Sequence, residues 1–339
     1  MNIKLIQDTI DQNDIDQLIE WLKTYPRLTK GNLTIEFEKK FADWIGSKYA
    51  VFVNSGSSAN LVMLYSLIIN NKLSNNEIVV PSLCWATDLS PVMQLGLEPI
   101  LVDCNLDNLS IDLNHLETVF INNKPSAMML VSVLGLCPDM DKVVELCEKY
   151  NVILLEDNCE SQGTAYKGTK LGNFGLMSSF STYFGHTMST IEGGLVTTND
   201  EDMYNTLIQL RSHGWDRDLS TTKQTELRSK WKVDDFSALY TFYIPGFNLR
   251  STDLQAFIGI GQLDKVDNSI AKRNENFKLF QSLLKPSVWF PNELDNTCTA
   301  SFCIPVIFDT VEKKRKAIQL FIKNGIECRP LISGSMGIQ

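Results

Sequence analysis

The sequence predicts an α/β protein with a mostly parallel central sheet in a large domain, followed by a smaller α+β C-terminal domain. Two observations predict this class. Short apolar runs alternate with helical stretches, and within each run consecutive residues are apolar, as in strands that are covered on both faces. The chain has 339 residues, enough for the two predicted domains, which cover residues 12–262 and 263–339.

Apolar runs that alternate with helical patterns are the predicted strands of the large domain. The strands are expected at residues 50–53, 77–81, 99–103, 127–131 and 152–156. The helices are expected at residues 58–69, 89–95, 113–120 and 140–150, and Asp139 is the expected N-cap of the last. Ligands of parallel sheets bind at the carboxyl ends of the strands, so the residues that follow each strand are the candidates for a functional site.

The pattern changes near Leu263, where the smaller domain is predicted to begin. Its predicted elements are a long amphipathic helix at 270–284, a strand at 299–308, a helix at 312–324 and the start of a strand at 325–330. The sequence stops at Gln339 without a further closing element, and we expect that its C-terminus is truncated.

Charge and hydropathy exclude two classes of protein and predict a cytoplasmic one. The net charge of −9 argues against non-specific nucleic-acid binding, which needs a basic surface. No apolar run reaches the roughly 18–20 residues that a membrane span requires. The first eight residues also lack the basic and apolar regions of a secretory signal.

The eight cysteines are scattered singly, with no CxxC pair and no zinc-ligand spacing. We therefore expect reduced structural thiols and no metal site. The cysteines are Cys84, Cys104, Cys137, Cys147, Cys159, Cys298, Cys303 and Cys328.

The first candidate segment is VNSGSSAN, at residues 53–60, where a predicted strand enters a Gly/Ser turn and then a helix. Free backbone N–H groups and hydroxyls at such a turn form a cradle for a phosphate, and the helix dipole adds to it. Neither a Walker loop nor a GxGxxG fingerprint is present. A plain serine-rich N-cap is the alternative.

The second segment is ILLEDNCE, at residues 153–160, in which an apolar strand ends in Glu156, Asp157 and Glu160. A carboxylate at this position could pair with a protonated pyridine nitrogen, a metal ion or a ribose. As the alternative, Glu156 or Asp157 only caps the segment that follows.

The third segment is SSFSTYFGHTMSTIEGG, at residues 178–194, in which hydroxyl groups surround His186. Histidine is the usual proton-transfer group near neutral pH, and this is one of only three in the chain. A structural histidine in a Ser/Thr-rich loop is the alternative.

Together with PGFNLRSTDLQA at residues 245–256, these segments resemble motifs of one enzyme family, in the same order along the chain. The family is that of the fold type I, pyridoxal-phosphate (PLP) dependent nucleotide-sugar aminotransferases and dehydratases. The likeness runs from about Tyr25 to Pro330. It implies the fold type I architecture and a site for PLP or its amine form, PMP.

The resemblance assigns cofactor contacts residue by residue. Gly56, Ser57 and Ser181 are expected to hold the cofactor phosphate. Trp85 is expected to stack on the ring, and Asp157 to keep the pyridine nitrogen protonated.

The resemblance also implies a further residue near the cofactor, a contact between subunits and contacts with the substrate. Glu160 stands where relatives often have glutamine, and Asn248 is expected to reach the phosphate of a neighbouring subunit, which implies a homodimer with shared active sites. Arginine suits a nucleotide diphosphate because its guanidinium binds phosphate oxygens in pairs. The candidate substrate contacts are His213, Arg217, Arg250 and Arg329.

His186 replaces the lysine to which most of the family binds PLP covalently. An imidazole cannot form that bond, whereas it can move protons, and this combination resembles the 3-dehydratases of deoxysugar biosynthesis, which hold PMP noncovalently. One type of these also binds a [2Fe-2S] cluster, but here no cysteine lies between Cys159 and Cys298 to ligate one. Residues 85–91 and 211–218 resemble the iron-free type, which acts on GDP-4-keto-6-deoxy-D-mannose.

The activity implied by the resemblance is a 3-dehydratase that takes an amino group from L-glutamate and releases a 3-deoxy-4-ketosugar and ammonia, in O-antigen (lipopolysaccharide) sugar biosynthesis. The lysines nearest upstream of His186, Lys167 and Lys170, are expected to be surface residues. A sugar aminotransferase and a non-catalytic relative remain open as alternatives. GDP rests on the resemblance alone, so CDP also remains open.

Overall fold

The computed structural model describes residues 2–285 and 288–339, and a seven-stranded sheet lies at its centre. The strands are β1 (Tyr49–Val53), β2 (Glu77–Pro81), β3 (Glu98–Val102), β4 (Ala127–Val131), β5 (Ile153–Asp157), β6 (Ala165–Tyr166), β7 (Thr169–Lys170), β8 (Met177–Ser181), β9 (Gly194–Thr198) and β10 (Thr297–Cys298). The strand order in the central sheet is β1-β9-β8-β5-β4-β2-β3, and a small sheet has the order β10-β6-β7.

The central sheet is mostly parallel, as predicted. The strands from β8 to β3 run parallel to one another, and β9 is antiparallel to both of its neighbours, β1 and β8. Strands β1, β5 and β8 therefore point the same way, and their carboxyl ends meet at one edge of the sheet.

The helices of the described residues include the four predicted for the large domain. The helices are α1 (Gln12–Leu22), α2 (Asn32–Ile45), α3 (Gly56–Ile69), α4 (Ala86–Gln94), α5 (Leu113–Asn123), α6 (Met140–Tyr150), α7 (Glu201–Arg211), α8 (Thr221–Trp231), α9 (Asp253–Leu283) and α10 (Val311–Lys323). Short 3₁₀ turns occur at Val133–Gly135, Ser237–Tyr240 and Met336–Ile338. Asp139 caps α6 by accepting a hydrogen bond from the Lys142 N–H, as expected.

The core lies on both faces of the sheet, which explains the consecutive apolar residues in the strands. In β2, Ile78 and Val80 pack into one apolar cluster and Val79 into another on the opposite face. Each face is covered by helices, so alternate side chains are buried equally.

Strands β8 and β9 were not among the strands predicted from the sequence, where residues 178–194 stood out only for the hydroxyl groups around His186. The serine hydroxyls of β8 are buried because neighbouring polar groups satisfy them. Ser178 Oγ accepts a hydrogen bond from Asn158 Nδ2 at 2.8 Å, and Ser179 Oγ donates to Asn60 Oδ1 at 2.6 Å.

Two predicted C-terminal strands are corrected by the structure. Residues 299–308 form no strand, since side chains take up their backbone groups: Thr164 Oγ1 accepts from the Ala300 N–H, and Arg273 Nη1 donates to the Ser301 and Phe302 carbonyls. Among the described residues of this region, the only strand is the two-residue β10. In residues 325–330, a single bridge joins Ile326 to Ile3.

Helix α9 contains the predicted helix at 270–284 except for its last residue, and it begins 17 positions earlier, at Asp253. The expected boundary between residues 262 and 263 falls inside this continuous helix, and the division into two domains stays a prediction. The predicted helix at 312–324 is confirmed as α10.

Candidate active site

Three of the candidate segments meet where α3 begins, at the carboxyl ends of β1, β5 and β8. Ser55 caps α3 by accepting a hydrogen bond from the Ser58 N–H at 3.1 Å. Gly56 follows it and is buried. A Cβ atom there would lie 2.8 Å from Ser181 Cβ and 2.9 Å from Cys159 Sγ. The helix start is thus a backbone cradle of the kind that binds phosphate.

Hydroxyl groups and an open aromatic face border this cradle. Ser57 is exposed, and its hydroxyl donates a hydrogen bond to Thr87 Oγ1 at 3.2 Å. Ser181 lies at the end of β8, where its Oγ accepts from the Tyr183 N–H at 3.3 Å. Trp85 precedes α4 and is 56% exposed, so its ring offers a surface on which a flat ligand can stack.

Asp157 is the carboxylate of its segment that faces this site. It is buried at the end of β5, and its Oδ1 accepts a hydrogen bond from the Cys159 N–H at 2.8 Å. Its Oδ2 accepts from Asn60 Nδ2 at 2.6 Å. Because Ser179 Oγ donates to Asn60 Oδ1, the orientation of this amide is determined by its partners. The carboxylate is therefore held in one position.

The other two carboxylates of the segment have different roles. Glu156 accepts hydrogen bonds from the N–H groups of Gly172, Phe174 and Gly175 at 2.7–2.8 Å and so holds the loop before β8. Glu156 therefore has a structural role, although the loop it binds is not the segment that directly follows it, which the capping alternative named. Glu160 Oε2 accepts from the Leu134 N–H at 2.8 Å, and burial raises the pKa of Glu160 to about 7.

His186 presents a neutral imidazole to the site. Its ring packs 5.2 Å from the ring of Phe302. Its Nδ1 atom is buried and has no hydrogen-bond partner among residues 2–285 and 288–339. Burial lowers the pKa of His186 to about 4, an effect that the Cys159 backbone and Asp157 carboxylate partly offset. The ring can therefore accept a proton at neutral pH.

The fourth candidate segment, residues 245–256, runs beside the Gly/Ser turn of residues 53–60. Backbone bridges pair Val53 with Arg250 and Ser212 with Asn248. Asn248 is exposed, and its Oδ1 accepts a hydrogen bond from Arg250 Nε at 3.1 Å. The backbone at Arg250 therefore lies beside the end of β1, from which the turn into α3 follows, and Asn248 contacts the Arg250 side chain.

The other candidate substrate residues are more dispersed. The His213 N–H donates to the Phe247 carbonyl at 2.6 Å, next to the fourth segment. The guanidinium of Arg217 lies 3.9 Å from the ring centre of Trp215. Arg329 instead donates to Glu327 at 3.2 Å, and Glu327 accepts from the backbone of the N-terminal segment. None of these contacts brings Arg217 or Arg329 to Asp157 or His186.

Neither nearby lysine belongs to the site. Lys167 is exposed and pairs with Asp141, as expected of a surface residue. Lys170 is only half-buried rather than fully exposed, and it lies 3.9 Å from the ring centre of Trp44, to whose carbonyl it donates. In the described part of the chain, no cluster of metal-ligating side chains occurs, and no helix is long and apolar enough to cross a membrane.

Three further residues shape the site and were not predicted from the sequence: Asn60, Asp88 and Arg273. Asn60 follows Gly56 by one helical turn, so the two share a face of α3, and this spacing could have identified it. Asp88 follows Trp85 by three positions, the spacing of a capping box. Arg273 gives no local signal, since only the fold places it behind Phe302.

We expect that Gly56→Ala lowers the free energy of unfolding by about 1–3 kcal/mol, because the added methyl group would have to displace Ser181 or Cys159. Chemical denaturation of both proteins measures this. Gly261→Ala, inside α9, is the matched control: its Cβ would meet only Asp14 Oδ1, at 3.5 Å. This control should gain about 0.5–1 kcal/mol from helix propensity. Equal stability of Gly56→Ala and wild type would contradict the close packing of the cradle.

Comparison with known proteins places this site in a family. The chain matches the DegT/DnrJ/EryC1/StrS aminotransferase family over residues 8–335. A GDP-4-keto-6-deoxy-D-mannose 3-dehydratase of Yersinia pseudotuberculosis is 33% identical over 340 residues, which cover 99% of this chain and 86% of that protein. A GDP-perosamine synthase of Caulobacter vibrioides is 33% identical over 271 residues, covering 80% of this chain and 67% of that protein.

A solved structure agrees with the sequence relatives. The crystal structure of GDP-4-keto-6-deoxymannose-3-dehydratase (ColD) with a trapped PLP-glutamate geminal diamine has a TM-score of 0.88 and 30% sequence identity, covering 99% of this chain and 88% of that one. The resemblance inferred from the four segments is therefore confirmed, as is the α/β fold of a PLP-dependent transferase. The chain belongs to the DegT/DnrJ/EryC1/StrS aminotransferase family.

Proposed function

We propose that this protein is a PLP/PMP-dependent 3-dehydratase that works without a catalytic lysine. Its substrate is a nucleotide-linked 4-keto-6-deoxyhexose, GDP-4-keto-6-deoxy-D-mannose, and L-glutamate is its amino donor. The products are the 3-deoxy-4-ketosugar, 2-oxoglutarate and ammonia, and the reaction belongs to the cytoplasm. The observation that carries this proposal is the unpartnered Nδ1 of His186 in a site that neither Lys167 nor Lys170 reaches.

The residues of the site fit the cofactor. Gly56, Ser57 and Ser181 would hold its phosphate, since a cradle without room for a Cβ leaves backbone N–H groups open to an anion. Asp157 would pair with the pyridine nitrogen, and the exposed face of Trp85 would cover the ring. Glu160 would lie beside Asp157, whose charge contributes to the raised pKa of Glu160.

The cofactor supplies an amine that condenses with the C4 ketone, and a ring that accepts electrons. His186 supplies the proton transfer. As a neutral imidazole it takes a proton from the cofactor's C4′ carbon, and as an imidazolium it gives that proton to the departing C3 hydroxyl. Phe302 packs against the ring and limits its movement. Asp157 would stay beside the pyridine nitrogen throughout, since Asn60 and the Cys159 N–H hold its carboxyl group in place.

We further propose a homodimer in which Asn248 reaches the phosphate site of the partner subunit. Its exposure supports this, as do the exposed apolar side chains of Phe236, Tyr240 and Phe242 nearby in the chain. An exposed apolar cluster of this kind is typical of an interface. His213, Arg217, Arg250 and Arg329 remain proposed contacts of the nucleotide sugar.

The test combines the purified protein with PLP, L-glutamate and GDP-4-keto-6-deoxymannose. Mass spectrometry of the sugar should show loss of the C3 oxygen, with ammonia released in equal amount. Borohydride should fail to attach the cofactor to the protein. Sedimentation equilibrium of the same preparation should give the mass of a dimer, and a monomer would refute the shared site.

A second function, a sugar 4-aminotransferase, is favoured by the similarity to the GDP-perosamine synthase. That enzyme's name implies an aminosugar product. An aminosugar in the assay above, or a cofactor reduced onto a lysine, would establish this alternative and refute the dehydratase.

A further inference from the structure

A second carboxyl group lies buried behind Asp157. Asp88, in the first turn of α4, is fully buried. Its Oδ2 accepts a hydrogen bond from the Trp85 N–H at 2.9 Å, and its Oδ1 accepts from Asn60 Nδ2 at 3.0 Å. No lysine or arginine pairs with Asp88 in the described residues. Two neutral donors therefore contact this carboxyl group, and no positive charge of the described residues balances it.

Asn60 connects the two carboxyl groups. The same Nδ2 that donates to Asp88 also donates to Asp157 Oδ2, at 2.6 Å. Because both accept from this one nitrogen atom, the carboxyl groups of Asp88 and Asp157 lie close together. Two buried carboxylates that share one amide cannot both be ionised without strong repulsion, as in the paired aspartates of acid proteases.

We propose that Asp88 is a positioning residue for Asp157: it holds one proton at neutral pH and donates it in a hydrogen bond to the Asp157 carboxylate. Together with Asn60, it would give the pair a single negative charge, matched to one protonated pyridine nitrogen. This inference rests on the proposed function for the ligand, but the state of Asp88 can be measured without it.

Burial and the neighbouring carboxyl groups favour the neutral form of Asp88, and the Trp85 N–H opposes them. Burial raises the pKa of Asp88 well above its usual value, and Asp157 raises it further, with a smaller contribution from Glu160. Two thiols, Cys84 and Cys159, also lie near this carboxyl group, and burial raises the pKa of both, so neither brings a negative charge at neutral pH.

The proton on Asp88 makes the stability of the protein depend on pH. In the unfolded chain Asp88 ionises near pH 4, whereas in the folded protein it keeps its proton to a higher pH. Its contribution to stability is therefore complete below pH 4 and is lost as the pH rises toward the folded-state pKa. The substitution Asp88→Asn puts a neutral side chain of the same shape in this place, so the variant should not lose this stability as the pH rises.

The first test is denaturant unfolding of the cofactor-free protein at pH 6, 7 and 8. The unfolding constant of wild type is divided by that of Asp88→Asn at each pH. As long as folded Asp88 holds its proton, this ratio should grow by up to tenfold for each unit by which the pH rises. The control is Asp112→Asn, at the N-cap of α5, which also removes one negative charge and should give a ratio that does not grow. A constant ratio for Asp88→Asn would refute the proposal.

The second test is PLP binding, followed by fluorescence. Asp88→Ala removes the donated hydrogen bond and should weaken binding about tenfold, and Asp88→Asn should restore it to within about threefold of wild type. Tenfold weaker binding by Asp88→Asn would show that the residue acts as a charge, which overturns the proposal. If Asp88→Ala fails to fold, infrared spectroscopy decides whether Asp88 is protonated. The band of a protonated carboxyl group should be present in wild type and absent from Asp88→Asn. If wild type binds no PLP, the proposed function fails while the unfolding test still stands.

Discussion

Replacing His186 with asparagine should lower the rate of C3 deoxygenation by about 10²–10⁴-fold, the range that general acid–base catalysis supplies. Asparagine is smaller, and it places an amide group, which takes up no proton, where the partnerless Nδ1 lies. PLP affinity should stay within a few-fold of wild type, because Gly56, Ser181 and Asp157 are unchanged. Single-turnover kinetics with the PMP form separate the chemical step from binding.

The matched control is His115→Asn. His115 is exposed on α5, and its Nδ1 accepts a hydrogen bond from the Asp103 N–H at 3.2 Å. It should keep wild-type turnover. If His186→Asn retains more than a tenth of the activity, another group moves the proton, and the role proposed for His186 is wrong.

The burial of His186 also lowers the stability of the folded protein at acid pH. Its pKa is about 4 in the folded protein and 6.5 in an ordinary environment. The unfolded chain therefore takes up a proton first, so the stability contributed by His186 is complete above pH 6.5 and is lost as the pH falls toward 4. The difference corresponds to about 3 kcal/mol. His186→Asn should accordingly lose less stability than wild type between these pH values.

The site residues that can be predicted from the sequence are those whose position follows from the element they begin or end. Gly56 and Ser57 begin a helix directly after a strand, and Asp157 ends one, so chain order alone places them at the same edge of the sheet. His186 follows β8 closely and reaches that edge for the same reason.

Asn60 and Asp88 could not be assigned in this way. Each has an ordinary local interpretation, as a polar residue inside a helix and as a capping-box acid. Their importance arises from a contact between α3, α4 and β5, elements that lie far apart in the sequence. The strand predicted at 299–308 is wrong for a related reason. Its apolar residues suit a strand, but the side chains of Thr164 and Arg273 take the hydrogen bonds that a partner strand would need.

Replacing Asp157 with asparagine should weaken PLP binding on the order of 10²–10³-fold, because loss of one partner of a buried ion pair costs about 3–5 kcal/mol. The amide keeps the shape of the side chain but cannot stabilise a protonated pyridine nitrogen. Equilibrium titration of PLP absorbance measures the effect, and circular dichroism confirms that the variant folds. Asp200→Asn is the control, since asparagine caps a helix as well as aspartate does and Asp200 caps α7.

Asp157→Asn and Asp88→Asn form a matched pair that separates the charge from the shape of this site. Both remove one carboxyl group from the same buried contact around Asn60. If one negative charge resides on Asp157, only its variant loses PLP, because Asp88 is already neutral when the cofactor binds. Equal losses in the two variants would mean that the charge is shared between them, and equal retention would mean that the pyridine nitrogen binds elsewhere. The difference between two isosteric substitutions a few ångströms apart therefore locates the charge that the cofactor needs.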